Sequence, residues 1–186
     1  ISKSGAGTLL LRGNNKGASQ GMILSAGTVE FSTNSLPTNV RAYGGPAGYS
    51  SDIQGNATLR WASGNTQDIS FENGSAQIRI GDGVTATFDT NGNNVTLGTA
   101  FDLRASQTGA LTKTGTGTLT LSAANSYAGA TTVNEGTLRL GNGTSPTNLA
   151  DAADVLVAPG AMLHLDYSGT DQIHGLWVDG LQMPPG

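Results

Sequence analysis

The chain predicts an all-β fold in which short strands stack as a solenoid, and three observations in its 186 residues predict it. Apolar and polar residues alternate over runs of only four or five positions. Glycine-led turns interrupt those runs, and related segments return after a long interval. Strict alternation in Thr, Val, Leu and Ile is the pattern of a half-buried strand. It is seen in Thr58-Leu59-Arg60-Trp61, Gln77-Ile78-Arg79-Ile80, Asn94-Val95-Thr96-Leu97 and Leu163-His164-Leu165. The one stretch with a helical look, 148–157, is too short to stand as a helix in water.

The repeat is plain when Ile1–Leu11 is set beside Leu111–Leu121. Lys3 and Lys113, Gly5 and Gly115, Gly7 and Gly117, Thr8 and Thr118, and two alternate leucines coincide at an offset of 110 residues. Gly27-Thr28-Val29-Glu30-Phe31 returns as Gly136-Thr137-Leu138-Arg139-Leu140 at an offset of 109, so a turn between has gained or lost one residue. The unit Gly-x-Gly-Thr-Leu-x-Leu turns Thr outward and Leu inward each time. Stacked copies then build an aliphatic ladder inside and a Thr/Asn ladder outside. This assigns Leu9, Leu11, Leu119, Leu121, Val133, Leu138 and Leu140 to the core, and Gly5, Gly7, Gly27, Gly115, Gly117 and Gly136 to the turns.

Asn-Gly or Asp-Gly stands at 73–74, 82–83, 91–92, 142–143 and 179–180. Such pairs usually close antiparallel hairpins, so an antiparallel sandwich is the competing fold. Irregular strand spacing and the long repeat interval favour the solenoid. At about 20 residues per coil the chain makes roughly eight or nine coils, and at about 4.8 Å per rung a rod roughly 40 Å long. Residues 1–186 are expected to form one solenoid domain. A start at Ile1, with no signal sequence, reads as a fragment of a longer precursor.

Composition narrows the function. Charged residues are 12% of the chain, about half the roughly 25% usual in soluble domains. The nine Lys and Arg are scattered and the net charge is −4, which excludes a nucleic-acid surface built on clustered cations. No apolar run approaches the ~18 residues of a membrane helix, so this segment is not expected to insert in a membrane. With no cysteine, disulfides and thiolate chemistry are excluded together.

The segment Leu111 to Gly141, with Leu-Thr-Lys-Thr-Gly-Thr-Gly-Thr-Leu-Thr-Leu, Asn125-Ser126-Tyr127 and Glu135-Gly136-Thr137-Leu138-Arg139-Leu140-Gly141, resembles the autotransporter-associated β-strand repeat, also called the passenger-associated transport repeat. Residues 1–31 are a first copy that departs from it at Lys16-Gly17-Ala18-Ser19-Gln20-Gly21. The blocks 59–69 and 87–96 are similar to intervening coils of large surface proteins carrying this repeat, and 173–186 to the close of such a region. The resemblance implies a right-handed parallel β-helix of a bacterial autotransporter passenger. It would be secreted or displayed on the cell surface, with repeats that assist passage and folding across the outer membrane.

Catalytic patterns are weak. Gly17-Ala18-Ser19-Gln20-Gly21 has the spacing of a nucleophile elbow, but that turn needs a following helix, and Met22-Ile23-Leu24 reads as strand. His164 alternates with leucines and points outward beside Asp166; His174 is the other histidine. Asp89-Thr90-Asn91-Gly92-Asn93 begins like a calcium loop, but Asn94 replaces the turn glycine and Ala100 the closing carboxylate. The nearest carboxylate pairs, Asp151 with Asp154 and Asp68 with Glu72, are expected in polar turns. The sequons at Asn56, Asn73, Asn94 and Asn142 follow from composition. No cofactor and no metal are expected.

These readings converge on a non-enzymatic structural or adhesive surface protein: a spacer, an adhesin holding a host or matrix ligand, or a polymerising subunit. The alternative is a β-helix enzyme of the polysaccharide lyase or hydrolase type. Self-association end to end is expected from a first coil that opens directly on a repeat strand, since bare coil edges template further strands.

Overall fold

Each glycine-led turn starts a short strand, and each strand finds its partner one pass later rather than in its neighbour. The computed structural model describes residues 1–15, 22–36, 52–53, 55–72, 75–76, 78–100, 108–125, 127–143 and 149–185. Strands are numbered in chain order. A first sheet joins β1 (Ser2–Lys3), β3 (Ile23–Leu24), β5 (Asp52–Ile53) and β9 (Arg79–Ile80). The central sheet runs through β2 (Thr8–Leu11), β4 (Gly27–Phe31), β6 (Ala57–Trp61), β10 (Thr85–Asp89), β12 (Ala110–Thr114), β14 (Thr131–Val133), β16 (Asp154–Val157) and β18 (Gly175–Val178), and closes on β19 (Leu181–Gln182). A third sheet joins β11 (Val95–Leu97), β13 (Thr118–Leu121), β15 (Thr137–Leu140) and β17 (Met162–Leu165). All three are parallel except for the final β18–β19 pair.

The chain is all-β, with no helix among the described residues, and its parallel stacking is consistent with a β-solenoid. The antiparallel sandwich is overturned: among the described residues neighbouring strands do not pair, apart from β7 (Phe71–Glu72) with β8 (Ser75–Ala76) and β18 with β19. These two pairs explain part of the Asn-Gly and Asp-Gly signal. At Asp179-Gly180 both residues take positive φ, 52° and 79°, the twist a two-residue hairpin requires. Residues 73–74, between β7 and β8, lie outside the described residues. The pairs at 82–83, 91–92 and 142–143 mark corners between strands of different sheets. There the strand one pass earlier already offers a complete edge, so the chain turns toward that edge instead of back on itself.

Register is shown by one outward column of the central sheet. Thr8 stands beside Thr28, then Thr58, Thr87, Thr112 and Thr132. Thr8 to Thr28 and Thr112 to Thr132 are 20 residues, as expected, but Thr28 to Thr58 is 30 and Thr58 to Thr87 is 29. The excess in the second of these holds the β7–β8 hairpin. Toward 148–157, the helical look resolves into strand β16 at Asp154–Val157.

Inward columns form one continuous apolar core. Val29, Leu59, Phe88, Val133 and Val157 come from the central sheet, Leu24, Ile53 and Ile80 from the first, and Leu119, Leu121, Leu138 and Leu140 from the third. Leu9 and Leu11 pack against the same core but stay half-buried, because β2 has a parallel neighbour on one side only. Three large rings stack in the core: Trp61 lies 5.0 Å from Phe31, tilted against it, and 5.8 Å from Phe88, edge-on to it. Its indole N–H donates to the Gln67 carbonyl at 2.9 Å, so the buried polar atom is satisfied.

Leu119 has no exposed surface and sits in register between Val95 and Leu138. Leu119→Asp would bury a carboxylate with no partner, costing several kcal/mol against a total stability of about 5–15 kcal/mol. The expected result is loss of the cooperative thermal transition by circular dichroism, while Thr118→Ser on the outward side of the same strand leaves it within a few degrees.

Candidate functional site: a lysine-stapled repeat turn

Alternation in Leu111-Thr112-Lys113-Thr114 turns Lys113 inward, into the column between Phe88 and Val133. Its side chain is wholly buried among apolar neighbours. A buried ammonium is tolerable only if its donors are used. Lys113 Nζ donates to the carbonyls of Thr114 at 2.9 Å, Gly115 at 2.6 Å and Glu135 at 3.0 Å. The first copy repeats the arrangement: Lys3 Nζ donates to Ser4 at 3.2 Å, Gly5 at 2.6 Å and Ala26 at 3.0 Å. Two carbonyls belong to the turn that follows the lysine, and the third to the turn of the next pass. The amine staples one turn onto another.

The staple needs turns that approach closely, and glycine allows it. Gly136 has φ 67°, and a Cβ there would lie 2.5 Å from the Gly117 carbonyl oxygen, 2.6 Å from that of Gly115 and 3.1 Å from Lys113 Nζ. Gly27, with φ 75°, meets the same trio in the first copy: the carbonyls of Gly5 and Gly7 and Lys3 Nζ. Gly5, Gly115 and Gly117 also have positive φ; Gly7 does not, and a Cβ would fit there. The two copies occupy different faces. Lys3 is on the first sheet and Lys113 on the central one, and the strand that follows is in the central sheet (β2) in one case and the third (β13) in the other. The staple is therefore a property of two stacked turns and not of a position in the solenoid.

Burial pushes the Lys113 ammonium down to about 8, against the raising influence of Asp89 and Glu135. Glu135 also receives the Gly115 N–H at 2.9 Å, which anchors the same turn from outside. Tyr127, from the Asn125-Ser126-Tyr127 run, is wholly buried with its hydroxyl 2.7 Å from Thr131 Oγ1. Burial raises that phenol above its usual range.

The calcium-like run Asp89–Asn93 is a structural corner. Asp89 Oδ1 accepts the Asn91 N–H at 2.8 Å and Oδ2 faces Arg60 Nε at 3.3 Å. Arg60 Nη2 donates to Asn91 Oδ1 at 2.8 Å. Asn93 donates to the carbonyls of Ala62 and Thr90, and Asn65 does the same to Phe31 one pass earlier. These oxygens and amides are spent on backbone and on the Arg60 guanidinium. Among the described residues no three His, Asp or Glu side chains gather as a metal site would require.

The other candidates separate in space. Ser19 and the run 17–21 lie outside the described residues. His164 is exposed on the third sheet beside Arg139, which pairs with Asp166, over a shallow groove of about 440 Å³ lined by Thr118, Thr120 and Thr137. Asp68 accepts the Ser70 N–H and hydroxyl and the Gly98 N–H. Asp154 and Glu72 are strand residues, not turn residues, and Asp154 is drawn by β16 toward His174 of the next pass, Oδ1 to Nδ1 2.7 Å. Asn56 and Asn94 accept the backbone N–H groups of Thr85 and Thr118 one pass on. Sequence reasoning missed the lysines. Their signal was present: both coincide in the repeat, and both have the inward parity of the alternation.

Stacked parallel strands joined by stapled turns are consistent with a repeat protein of the solenoid class. Two of its segments, residues 1–31 and 111–140, match the passenger-associated transport repeat, and each carries one of the two stapling lysines. No curated protein and no solved structure matches the chain.

Lys113→Met keeps the stem and removes the donors, so the carbonyls of Thr114, Gly115 and Glu135 lose a charged partner. An unfolding free energy lower by about 1.5–3 kcal/mol is expected from chemical denaturation at pH 7. Gly136→Ala should cost at least as much, since the obstructing atoms are backbone. Linkage adds a pH signature. The folded lysine titrates near 8 and the unfolded one at 10.5, so between those values the unfolded chain holds the extra proton and stability rises with pH. Below pH 8 both forms are charged and this contribution is flat. Wild type and Lys113→Met should therefore diverge in denaturant midpoint between pH 8 and 10, and a constant difference would contradict the assignment.

Proposed function

We propose that the chain is a non-enzymatic, extracellular structural or adhesive module of a bacterial surface or secreted protein. In this reading it is a right-handed parallel β-helix of about eight coils, one for each parallel strand of the central sheet. Leu9, Leu11, Leu119, Leu121, Val133, Leu138 and Leu140 form its repeat core, and Gly5, Gly27, Gly115, Gly117 and Gly136 shape its turns. The observation that carries the proposal is the coincidence of two passenger-associated transport repeats with two geometrically equivalent lysine staples. A staple that closes one turn on the next gives a chain emerging across a membrane a local unit to fold on, before distant passes arrive. Adhesion, where it occurs, uses outward columns; the inward ones are filled.

Display is the test. Fused ahead of a generic outer-membrane translocator, the wild-type chain should reach the cell surface as a protease-resistant domain. The double variant Lys3→Met/Lys113→Met should reach it in a several-fold smaller amount, read by surface immunolabelling with and without protease. Equal display of both would remove the staple from the proposal. Ser19→Ala and His164→Ala should shift neither display nor melting temperature, and turnover of a polysaccharide panel by the purified chain would move the protein to the enzyme class.

A further inference from the structure

The outer face of the central sheet changes character at its last two parallel strands. The column of six threonines continues as Leu156 and then Trp177. Leu156 is 37% exposed, and Trp177 is partly exposed, whereas the other tryptophan, Trp61, is wholly buried. The indole of Trp177 does not stand off the sheet. A Cβ at Gly175, two residues back on the same face, would lie 2.5 Å from indole Cζ3 and against Cη2. The ring lies along the strand in the space that any side chain at 175 would occupy. Gly175 has an ordinary φ, so close approach of the indole is what separates glycine from alanine at this position.

Hydrogen-bonding groups stand at the register positions beside that ring. Asp154 is the register partner of Gly175, and its Oδ1 would lie 3.3 Å from the same Cβ. It binds His174 Nδ1 at 2.7 Å, and the two side chains are 38% and 71% exposed. Gln182, exposed, is the register partner of Trp177 across the closing hairpin. An indole lying on a sheet, with an acceptor, an imidazole and an amide around it, matches a pyranose ring. Such a ring has one face of C–H groups that stacks on an aromatic surface and a rim of hydroxyls that needs both donors and acceptors. We propose that Trp177, Asp154 and His174 form a binding site for a neutral hexopyranose at the end of a glycan. The Asp154 carboxylate sets the charge preference: it accepts sugar hydroxyls and repels acidic sugars. The site goes beyond the repeat-based reading above and uses no residue of either staple.

Intrinsic fluorescence tests it, because buried Trp61 supplies a constant background. Titration of the full chain with methyl β-galactoside, methyl β-glucoside and N-acetylglucosamine is expected to shift Trp177 emission with saturation for at least one of them. N-acetylneuraminic acid should bind at least about tenfold more weakly. Gly175→Ala, which displaces the indole without removing it, is expected to weaken binding at least about tenfold while leaving the thermal transition in place. Asp154→Asn should reduce the discrimination against the acidic sugar. Trp177→Phe, which reduces the stacking surface, is expected to weaken binding as well; should it affect stability, the Gly175→Ala comparison by ligand-observed NMR still decides the matter. No saturable response to any neutral sugar, equal binding by Gly175→Ala, or preference for the acidic sugar would each overturn the proposal.

Discussion

Everything in this fold depends on bringing successive turns close enough for parallel ladders to stay in register. Strands of two to five residues close few hydrogen bonds each, so the corners between them must be fixed as firmly as the strands. Corners expose carbonyls, and a buried carbonyl without a donor costs on the order of 1–3 kcal/mol. The repeat meets this with one ammonium whose three donors reach three carbonyls in two turns. A hydroxyl or amide offers too few donors for that task. The cost is a buried charge, visible in the lowered Lys113 titration, and it is offset by Asp89 and Glu135 on neighbouring passes.

Other corners solve the same problem without charge. Ser35, Asn65 and Asn93 occupy equivalent places four residues after Phe31, Trp61 and Asp89, and all three are buried. Ser35 returns to the Ser32 carbonyl, while the two asparagines also reach the pass before. The chain thus uses two kinds of corner clamp, a cationic one in the matched repeats and an amide one between them. Because each clamp needs only its own turn and the adjacent one, the same repeat works on the first sheet in one copy and on the central sheet in the other.

The strands and the core were legible because period-two alternation is local: Leu119, Leu121, Leu138 and Leu140 could be placed inward from their own neighbours. Pass length was less legible. The stretches from Thr28 to Thr58 and from Thr58 to Thr87 are 30 and 29 residues long, and those lengths are set by which strand, far away in sequence, the chain rejoins. Asn-Gly and Asp-Gly were ambiguous for the same reason, since the dipeptide permits a sharp turn but the free edge it meets decides between hairpin and corner. The lysines were passed over because a charged residue reads as surface unless its parity is followed as strictly as that of a leucine. The surface cluster around Trp177 could not be read at all, because the nearness of Asp154 and Gly175 depends on register between passes.

Register also explains the unusual composition. In a parallel in-register stack each side chain lies about 4.8 Å from its equivalents above and below. Like charges at that separation repel by roughly 1 kcal/mol in water and 3 to 4 kcal/mol where the surface is less polar, and the penalty recurs at every rung. A column can therefore be uncharged, as the threonine column is, or alternate in sign. The neighbouring column alternates over three rungs: Glu30 faces Arg60 at 3.6 Å and Arg60 faces Asp89 at 3.3 Å, while Arg12, just past the end of β2, reaches Glu30 at 2.5 Å from outside the column. Single surface pairs contribute little, but three charges alternating along one column favour one stacking order, since a slip by one pass would set like charges together. A charged fraction of 12% is what remains when most outward columns take the neutral solution, and the few charges retained help to fix which turn lies on which.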